Sequence, residues 1–345
     1  MAGGDPELNP AFAPFLMKLA EGKSLSREEA RAAVAAIMEG TVSPAQTAAF
    51  LTALHIKGET AEEITGAAEA MREKALPIDP APLVPVDTCG TGGDGAGTFN
   101  ISTAAAIIVA GAGVPVLKHG NRAVSSRSGS ADVLEALGVR TDAPPETVLR
   151  SLREAGMGFC FAPRFHAAMK HAAPVRRELG FRTIFNLLGP LANPGRVRRQ
   201  VIGVPSPSIA RTMAQALLAL GAEHALVVHG DGLDEISLHG PTLVVELKNK
   251  RLRRWLLTPE DLGLPGSRRG SLAAGSPAES AGILTRILAG EPGPCRDAVV
   301  ANAAAAIYVG GTGGSLRDCV ARAAQSVDSG KAREVLEKLR AVTAT

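Results

Sequence analysis

The chain has 345 residues, 46% of them apolar, which is enough to bury a sizeable core and suggests one large domain with an appendage, or two domains. Its net charge is only +3, its basic runs ("RVRR" at 196–199, "RLRR" at 251–254) are short and isolated, and its aromatics are 3%, so a nucleic-acid surface is not expected. The four cysteines (Cys89, Cys160, Cys295, Cys319) form no Cys-x-x-Cys pair, which argues for free thiols in a reducing cytoplasm rather than a zinc site or a disulfide framework. "MAGGDPELNP" lacks the basic-then-apolar pattern of a signal peptide, and the weakly polar run 101–117 is broken by Ser102, Thr103, Gly111, Gly113 and Pro115, so no membrane span is expected.

Residues 1 to about 75 read as helices alone, a small all-helical N-terminal domain. "SREEARAAVAAIMEG" opens on Ser26 with Glu29 three residues on, a capping box, and Gly40 stops it. "SPAQTAAFLTALHIKG" has Ser43 as N-cap and Pro44 at the first helical position, and closes at Gly58. "TAEEITGAAEAMREKA" repeats the box with Thr60 and Glu63. "LPIDPAPLVP" (76–85) is a proline-rich linker.

From there the pattern becomes α/β. Strands are expected at 84–87, 114–118, 200–204 and 224–229, with 242–247 more exposed, and helices at 102–111, 130–137, 145–155, 207–220 and 297–309. That alternation predicts a large domain, 76–345, with a mostly parallel central sheet covered by helices and ligands outside the carboxyl ends of the strands.

The stretch "DTCGTGGDGAGTFNIST" (87–103) joins the first strand to the first helix of that domain through glycines at 90, 92, 93, 95 and 97. Glycines let backbone N–H groups approach a ligand, and the following helix start offers more of them, so the loop reads as a phosphate or pyrophosphate cradle. It is neither a P-loop, having no terminal Gly-Lys-Ser/Thr, nor a Rossmann fingerprint. A second polar cluster, "KHGNR" and "SSRSGSAD", follows the next strand: Lys118 suits a phosphate, Asn121 a hydroxyl or amide, and Ser130 an N-cap. A third, "APVRRELGFRTIFNLLGPLANP" (173–194), carries Arg176 and Arg177, which cannot share a helix face; one of them can turn inward as a fork for a carboxylate. The fourth, "VVHGDGLDEISLHG" (227–240), places Asp231, Asp234 and Glu235 after a strand, hard oxygen ligands suited to Mg²⁺. "GGTGGS" (310–315) reads as a helix-ending turn.

These clusters, in this order and behind an all-helical N-terminus, closely resemble the anthranilate phosphoribosyltransferase family. The resemblance runs from about Leu16 to the C-terminal helices and rests on "GTGGD", "NIST", "KHGNR", "RRELGFRT", "FNLLGPL" and "DGLDE". It implies a small helical domain, joined in space by helices around 165–185, beside a large α/β domain, usually as a homodimer. It implies transfer of a phosphoribosyl group from phosphoribosyl pyrophosphate (PRPP) to anthranilate, with Mg²⁺, in tryptophan biosynthesis. By the same resemblance Gly90, Thr91, Gly92, Gly93, Asp94, Thr98, Asn100, Ser102, Thr103, Lys118 and Ser130 contact PRPP. Gly90, His119, Asn121 and Arg176 face anthranilate, and Ser102, Asp234 and Glu235 hold the metal. No general base is assigned. A pyrimidine nucleoside phosphorylase and a nucleic-acid-binding relative of the same architecture are the rivals; the Arg176 cluster fits a carboxylate acceptor, and the small net charge disfavours the second.

Overall fold

A computed structural model describes residues 9–123 and 127–344; Ser125 and Ser126 of the second cluster lie outside the described residues. The chain opens with four helices, α1 (Ala13–Ala20), α2 (Arg27–Glu39), α3 (Pro44–Lys57) and α4 (Ala61–Glu73). Their ends follow the expected caps. Ser26 Oγ accepts the Glu29 N–H at 3.2 Å while the Glu29 carboxylate takes the Ser26 N–H at 2.7 Å, and Thr60 and Glu63 repeat this reciprocal pair. Ser43 caps α3 ahead of Pro44, and Gly40 ends α2 in the left-handed region.

The larger part runs β1 (Val86–Asp87), α5 (Ile101–Gly111), β2 (Val116–Gly120), α6 (Ser130–Ala136), α7 (Pro145–Ala155), β3 (Met157–Phe161), α8 (Ala162–Phe165), α9 (Ala173–Leu179) and α10 (Phe185–Leu188). It continues with β4 (Arg199–Gly203), α11 (Pro207–Ala219), β5 (His224–Gly230), β6 (Thr242–Lys248), β7 (Arg251–Leu257) and α12 (Pro259–Leu262). It ends with α13 (Pro277–Leu288), α14 (Pro294–Val309), α15 (Leu316–Asp328) and α16 (Lys331–Ala344). The strands form one seven-stranded sheet in the order β3-β2-β1-β4-β5-β6-β7, parallel from β3 to β5 and antiparallel through β6 and β7.

Strand residues alternate between two apolar layers, as the twofold side-chain period of a strand requires. Val201, Leu226, Val228 and Val244 pack with α5 and α14 to α16 on one face. Ile202, Val227 and Val245 pack with α11, the N-terminal helices and residues 184–192 on the other. The segment 168–188 therefore shares a core with α2 to α4, although 95 positions separate Glu73 from Ala168.

Five expectations are corrected. β3 and β7 were not expected as strands. β7 lies outside β6 and makes that strand buried rather than exposed, so the "RLRR" run is the sheet's edge strand; its arginines 251, 253 and 254 are exposed, where charge blocks further pairing. β3 pairs with β2 through Gly120, which puts Lys118 and His119 inside the strand instead of in the loop after it. The cap of α6 is Gly129, with Asp132 accepting its N–H at 2.9 Å, so Ser130 is the first helical residue.

Candidate active site

The sheet reverses its winding at β1: the chain moves outward through β2 and β3, then returns to β4 on β1's other side. Ligands in open α/β sheets bind outside the carboxyl ends of strands at such a point. Here that position is filled by the glycine loop. Gly90 lies against the backbone of Gly203 at the end of β4, and Thr91 donates both its N–H and its hydroxyl to the Gly203 carbonyl, at 2.9 and 3.1 Å. Gly203 is required by its neighbour: a Cβ there would stand 1.5 Å from the Asp234 carbonyl oxygen. Gly92, Gly93, Gly95 and Gly97 all have positive φ. The loop's outer edge is pinned to residues 272–274 by Phe99 N–H to Leu272 and Ala274 N–H to Gly97, with Thr98 bridged to Ala273.

Beneath the loop sits a buried ammonium. Lys118 spends its three donors on the Thr88 carbonyl (3.0 Å), the Thr88 hydroxyl (3.0 Å) and the Ser102 hydroxyl (3.4 Å). Asp87, fully buried beside it, accepts from Cys89 N–H, His119 N–H and Asn193 Nδ2; burial nonetheless pushes its carboxyl up to about 6. Asn193 also donates to the Leu117 carbonyl at 2.8 Å, tying the "NP" turn to the end of β1 and to β2.

The acidic turn after β5 closes the other side. Asp94 of the glycine loop accepts the Asp234 N–H at 3.1 Å, and Glu235 accepts the Ser102 N–H at 3.1 Å. Glu235 thus reaches the start of α5, and Asp94 and Asp234 lie close enough to act on one another. Burial raises the Asp234 carboxyl, and Asp94 raises it further; burial and then Asp234 do the same to Glu235. Asp231 takes no part: it turns away to Arg269 at 2.7 Å. Among the described residues no three His, Cys, Asp or Glu side chains are grouped so as to hold a metal by themselves. Mg²⁺ does not need such a cage, because it keeps several waters and binds through one or two carboxylates plus substrate phosphates. The crowded, mutually repelling oxygens of Asp234 and Glu235 with the Ser102 hydroxyl fit that donor set.

Other residues singled out in the sequence fall around this centre. Asn100 exchanges hydrogen bonds with Ser128, at 2.7 and 3.1 Å, linking the glycine loop to the loop after β2. Thr103 is buried, and its hydroxyl has no partner among the described residues. Ser130 donates to the Asn121 carbonyl at 3.3 Å, and exposed Asn121 accepts the Arg122 N–H at 2.8 Å. His119 is buried with Nδ1 2.7 Å from the Gly189 carbonyl; burial lowers its pKa to about 4, so it is a neutral imidazole whose Nε2 has no partner among the described residues. His166 lies beside it, ring centroids 5.0 Å apart, and burial lowers it to about 3.

On α9 the two arginines divide as helix geometry demands. Arg177 is exposed. Arg176 turns inward, half-buried, with its guanidinium 5.4 Å from the Phe185 ring centroid and no carboxylate partner among the described residues. Burial lowers its pKa, so this cation is held at a cost. The residue that joins this segment to the glycine loop is Arg182, which donates to the carbonyls of Gly92 (2.7 Å) and Thr91 (3.4 Å). Sequence reasoning passed over Arg182, Asn193, Asp87 and Thr88. Asp87 carried a signal, an acid ending an apolar strand; the contacts of Arg182 and Asn193 join residues 76 to 106 positions apart and carried none.

A helical bundle beside a mostly parallel sheet, with a glycine cradle and an acid cluster across the switch point, describes a glycosyl transferase, and the family models agree. Residues 84–333 match the glycosyl transferase family a/b domain and residues 13–75 its helical bundle domain, so the chain belongs to this family. Among its relatives is the anthranilate phosphoribosyltransferase of Anaeromyxobacter dehalogenans, 57% identical over 95% of this chain and 97% of that protein. The enzyme of the same name from Symbiobacterium thermophilum is 54% identical over 95% and 97%. A crystal structure of anthranilate phosphoribosyltransferase from Thermus thermophilus superposes with a TM-score of 0.91 at 47% identity, covering 96% of this chain and 99% of that one. The Saccharomyces cerevisiae enzyme in complex with PRPP and Mg gives a TM-score of 0.88 at 30% identity, over 97% and 99%.

Proposed function

We propose that this chain transfers the 5-phosphoribosyl group of PRPP to the amine of anthranilate. The products are N-(5-phosphoribosyl)anthranilate and pyrophosphate, in a step of tryptophan biosynthesis. The observation that carries the reading is the Asp94–Asp234 contact, which sets a glycine cradle for phosphate against an acidic turn for a divalent cation at the sheet's switch point. Relatives at more than 50% identity over nearly the whole chain supply the substrate pair.

In this reading Gly90, Thr91, Gly92, Gly93 and Asp94 line the pyrophosphate and ribose, and Thr98, Asn100, Ser102, Thr103, Lys118 and Ser130 complete the PRPP site. Asp234, Glu235 and Ser102 hold Mg²⁺, which when bound neutralises charge on the departing pyrophosphate. The chain's own part is mainly electrostatic and positional. Departure of pyrophosphate leaves positive charge on the ribose ring and negative charge on the leaving group. Backbone N–H groups stabilise the latter directly, and the Lys118 ammonium, its donors held by Thr88 and Ser102, adds its positive charge from behind. Anthranilate enters beside Gly90, His119 and Asn121, its carboxylate paired with Arg176, which aims the amine at C1. His119 is neutral, and no side chain is assigned as a general base.

The helical part up to about residue 75, joined by the segment around 165–185, and the sheet part from 76 onward act as two domains, the chain works as a homodimer, and the cytoplasm is its compartment. The test is direct. Anthranilate-dependent release of pyrophosphate from PRPP with Mg²⁺ is expected, and release independent of anthranilate would overturn the reading.

A further inference from the structure

Arg182 sits where no phosphate role is assigned, yet it makes the only side-chain hydrogen bonds to the Thr91 and Gly92 carbonyls among the described residues. Both peptide bonds that follow these carbonyls are trans. In a trans peptide the C=O and the next N–H point in opposite directions. With the two carbonyls turned to Arg182, the N–H groups of Gly92 and Gly93 face the other way. Neither donates to any described residue, and both glycines are exposed. Two adjacent free N–H groups on a left-handed turn (φ 64° and 83°) form an anion-binding pair. Gly93 leaves room for the strut, since a Cβ there would stand 1.6 Å from the Arg182 guanidinium.

The strut is anchored from behind. Phe181 packs its ring 4.9 Å from that of His55 on α3, so consecutive residues touch the helical bundle and the glycine loop. Burial lowers the Arg182 pKa while Asp94 and Asp234 draw it back up, which places its charge near the acid cluster too.

We infer that Arg182 is a positioning residue for pyrophosphate: its guanidinium fork holds the Thr91 and Gly92 carbonyls outward so that the Gly92 and Gly93 N–H groups are presented as a preformed donor pair. This rests on the reading that the glycine loop holds the PRPP pyrophosphate.

The experiment compares Arg182→Ala, Arg182→Gln and Arg182→Lys with the wild-type chain. It measures steady-state kinetics in both substrates, titration of inorganic pyrophosphate with Mg²⁺ by calorimetry, and thermal melting. Gln keeps neutral N–H donors for the carbonyls, whereas Lys keeps the charge and loses the fork. The expectation is that Ala raises the PRPP KM and the pyrophosphate Kd together by about tenfold or more, leaves the anthranilate KM within about twofold, and that Gln recovers more of the loss than Lys. Unchanged pyrophosphate binding in Arg182→Ala, or recovery by Lys and not by Gln, would overturn it, the second outcome marking a direct charge contact with phosphate. A general loss of folding would appear in melting and in the apparent kcat with both KM values unmoved, and Arg182→Gln then carries the decision. Failure of the underlying reading is separable, because the wild-type chain itself would then bind no pyrophosphate.

Discussion

Replacing Arg176 by alanine should cripple recognition of anthranilate while leaving the fold intact. This guanidinium is half-buried, faces the Phe185 ring and has no carboxylate partner among the described residues. Its removal therefore orphans no other charge. The folding cost is limited to the packing and the cation–π contact, about 0.5–1 kcal/mol. The bound state is different. A guanidinium–carboxylate pair in a partly dry site loses about 2–4 kcal/mol when one partner is truncated. At 1.4 kcal/mol per decade that is about a 30- to 700-fold rise in the anthranilate KM. The PRPP KM should move by less than about twofold, because the glycine loop, with the Lys118 charge behind it, holds that ligand. Arg176→Lys should rescue poorly, since an ammonium keeps charge and loses the planar fork. Steady-state kinetics in each substrate, with melting curves, give both readouts. Arg177→Ala is the control, exposed on a different face of the helix. If Arg177→Ala produced the selective anthranilate defect and Arg176→Ala did not, the reasoning from burial would be refuted.

The acid cluster should trade stability for function. Asp234→Asn with Glu235→Gln should abolish Mg²⁺-dependent turnover, yet raise the metal-free melting temperature by about 2 °C, because burial and repulsion from neighbouring acids disfavour these carboxylates; a lower melting temperature with retained turnover would contradict this. The buried histidines should make the fold acid-sensitive. His119 and His166 titrate in the folded state at about 4 and about 3, below their ordinary value of 6.5, so the unfolded chain binds protons that the native one does not. Their contribution is complete above that ordinary value and is lost as pH falls through it toward about 4 for His119 and about 3 for His166, with a slope of up to about 1.4 kcal/mol per pH unit per histidine. Denaturant midpoints should show this slope, and His166→Asn should make it shallower; an unchanged slope would remove the assignment. Gly203→Ala should cost roughly 3 kcal/mol or more, since the added carbon meets a backbone carbonyl with nowhere to retreat; chemical denaturation near wild-type values would show that the β4 end yields.

Much of this fold was legible because its signals are local. The capping boxes at Ser26 and Thr60 and the Ser43-Pro44 start each need only residues three apart, and each appears where expected. The order of the parallel strands and the helices between them followed from apolar periodicity. What escaped depends on long-range neighbours. β3 follows an amphipathic helix with only Gly156 between them, and β7 is polar enough to pass for a loop, because an edge strand needs only one buried face. The exposure expected of β6 failed for the same reason. In the site, the glycine loop and acidic turn announced themselves by composition. Their contact through Asp94 and the Asp234 N–H spans 140 residues and is fixed by the β1–β4–β5 order. The choice between Arg176 and Arg177 is decided by which side of α9 faces the bundle, and the strut role of Arg182 by two backbone carbonyls that no side-chain pattern reveals.

The central claim is phosphoribosyl transfer from PRPP to anthranilate at the β1–β4 switch point, and one fluorescence measurement addresses it. The purified chain is mixed with anthranilate, PRPP and Mg²⁺, and anthranilate fluorescence is followed in time. The account predicts a loss of fluorescence that needs all three components and disappears on chelation of the metal or in the Asp234→Asn, Glu235→Gln variant. Steady anthranilate fluorescence with all components present, alongside phosphate-dependent cleavage of thymidine by the same preparation, would contradict it.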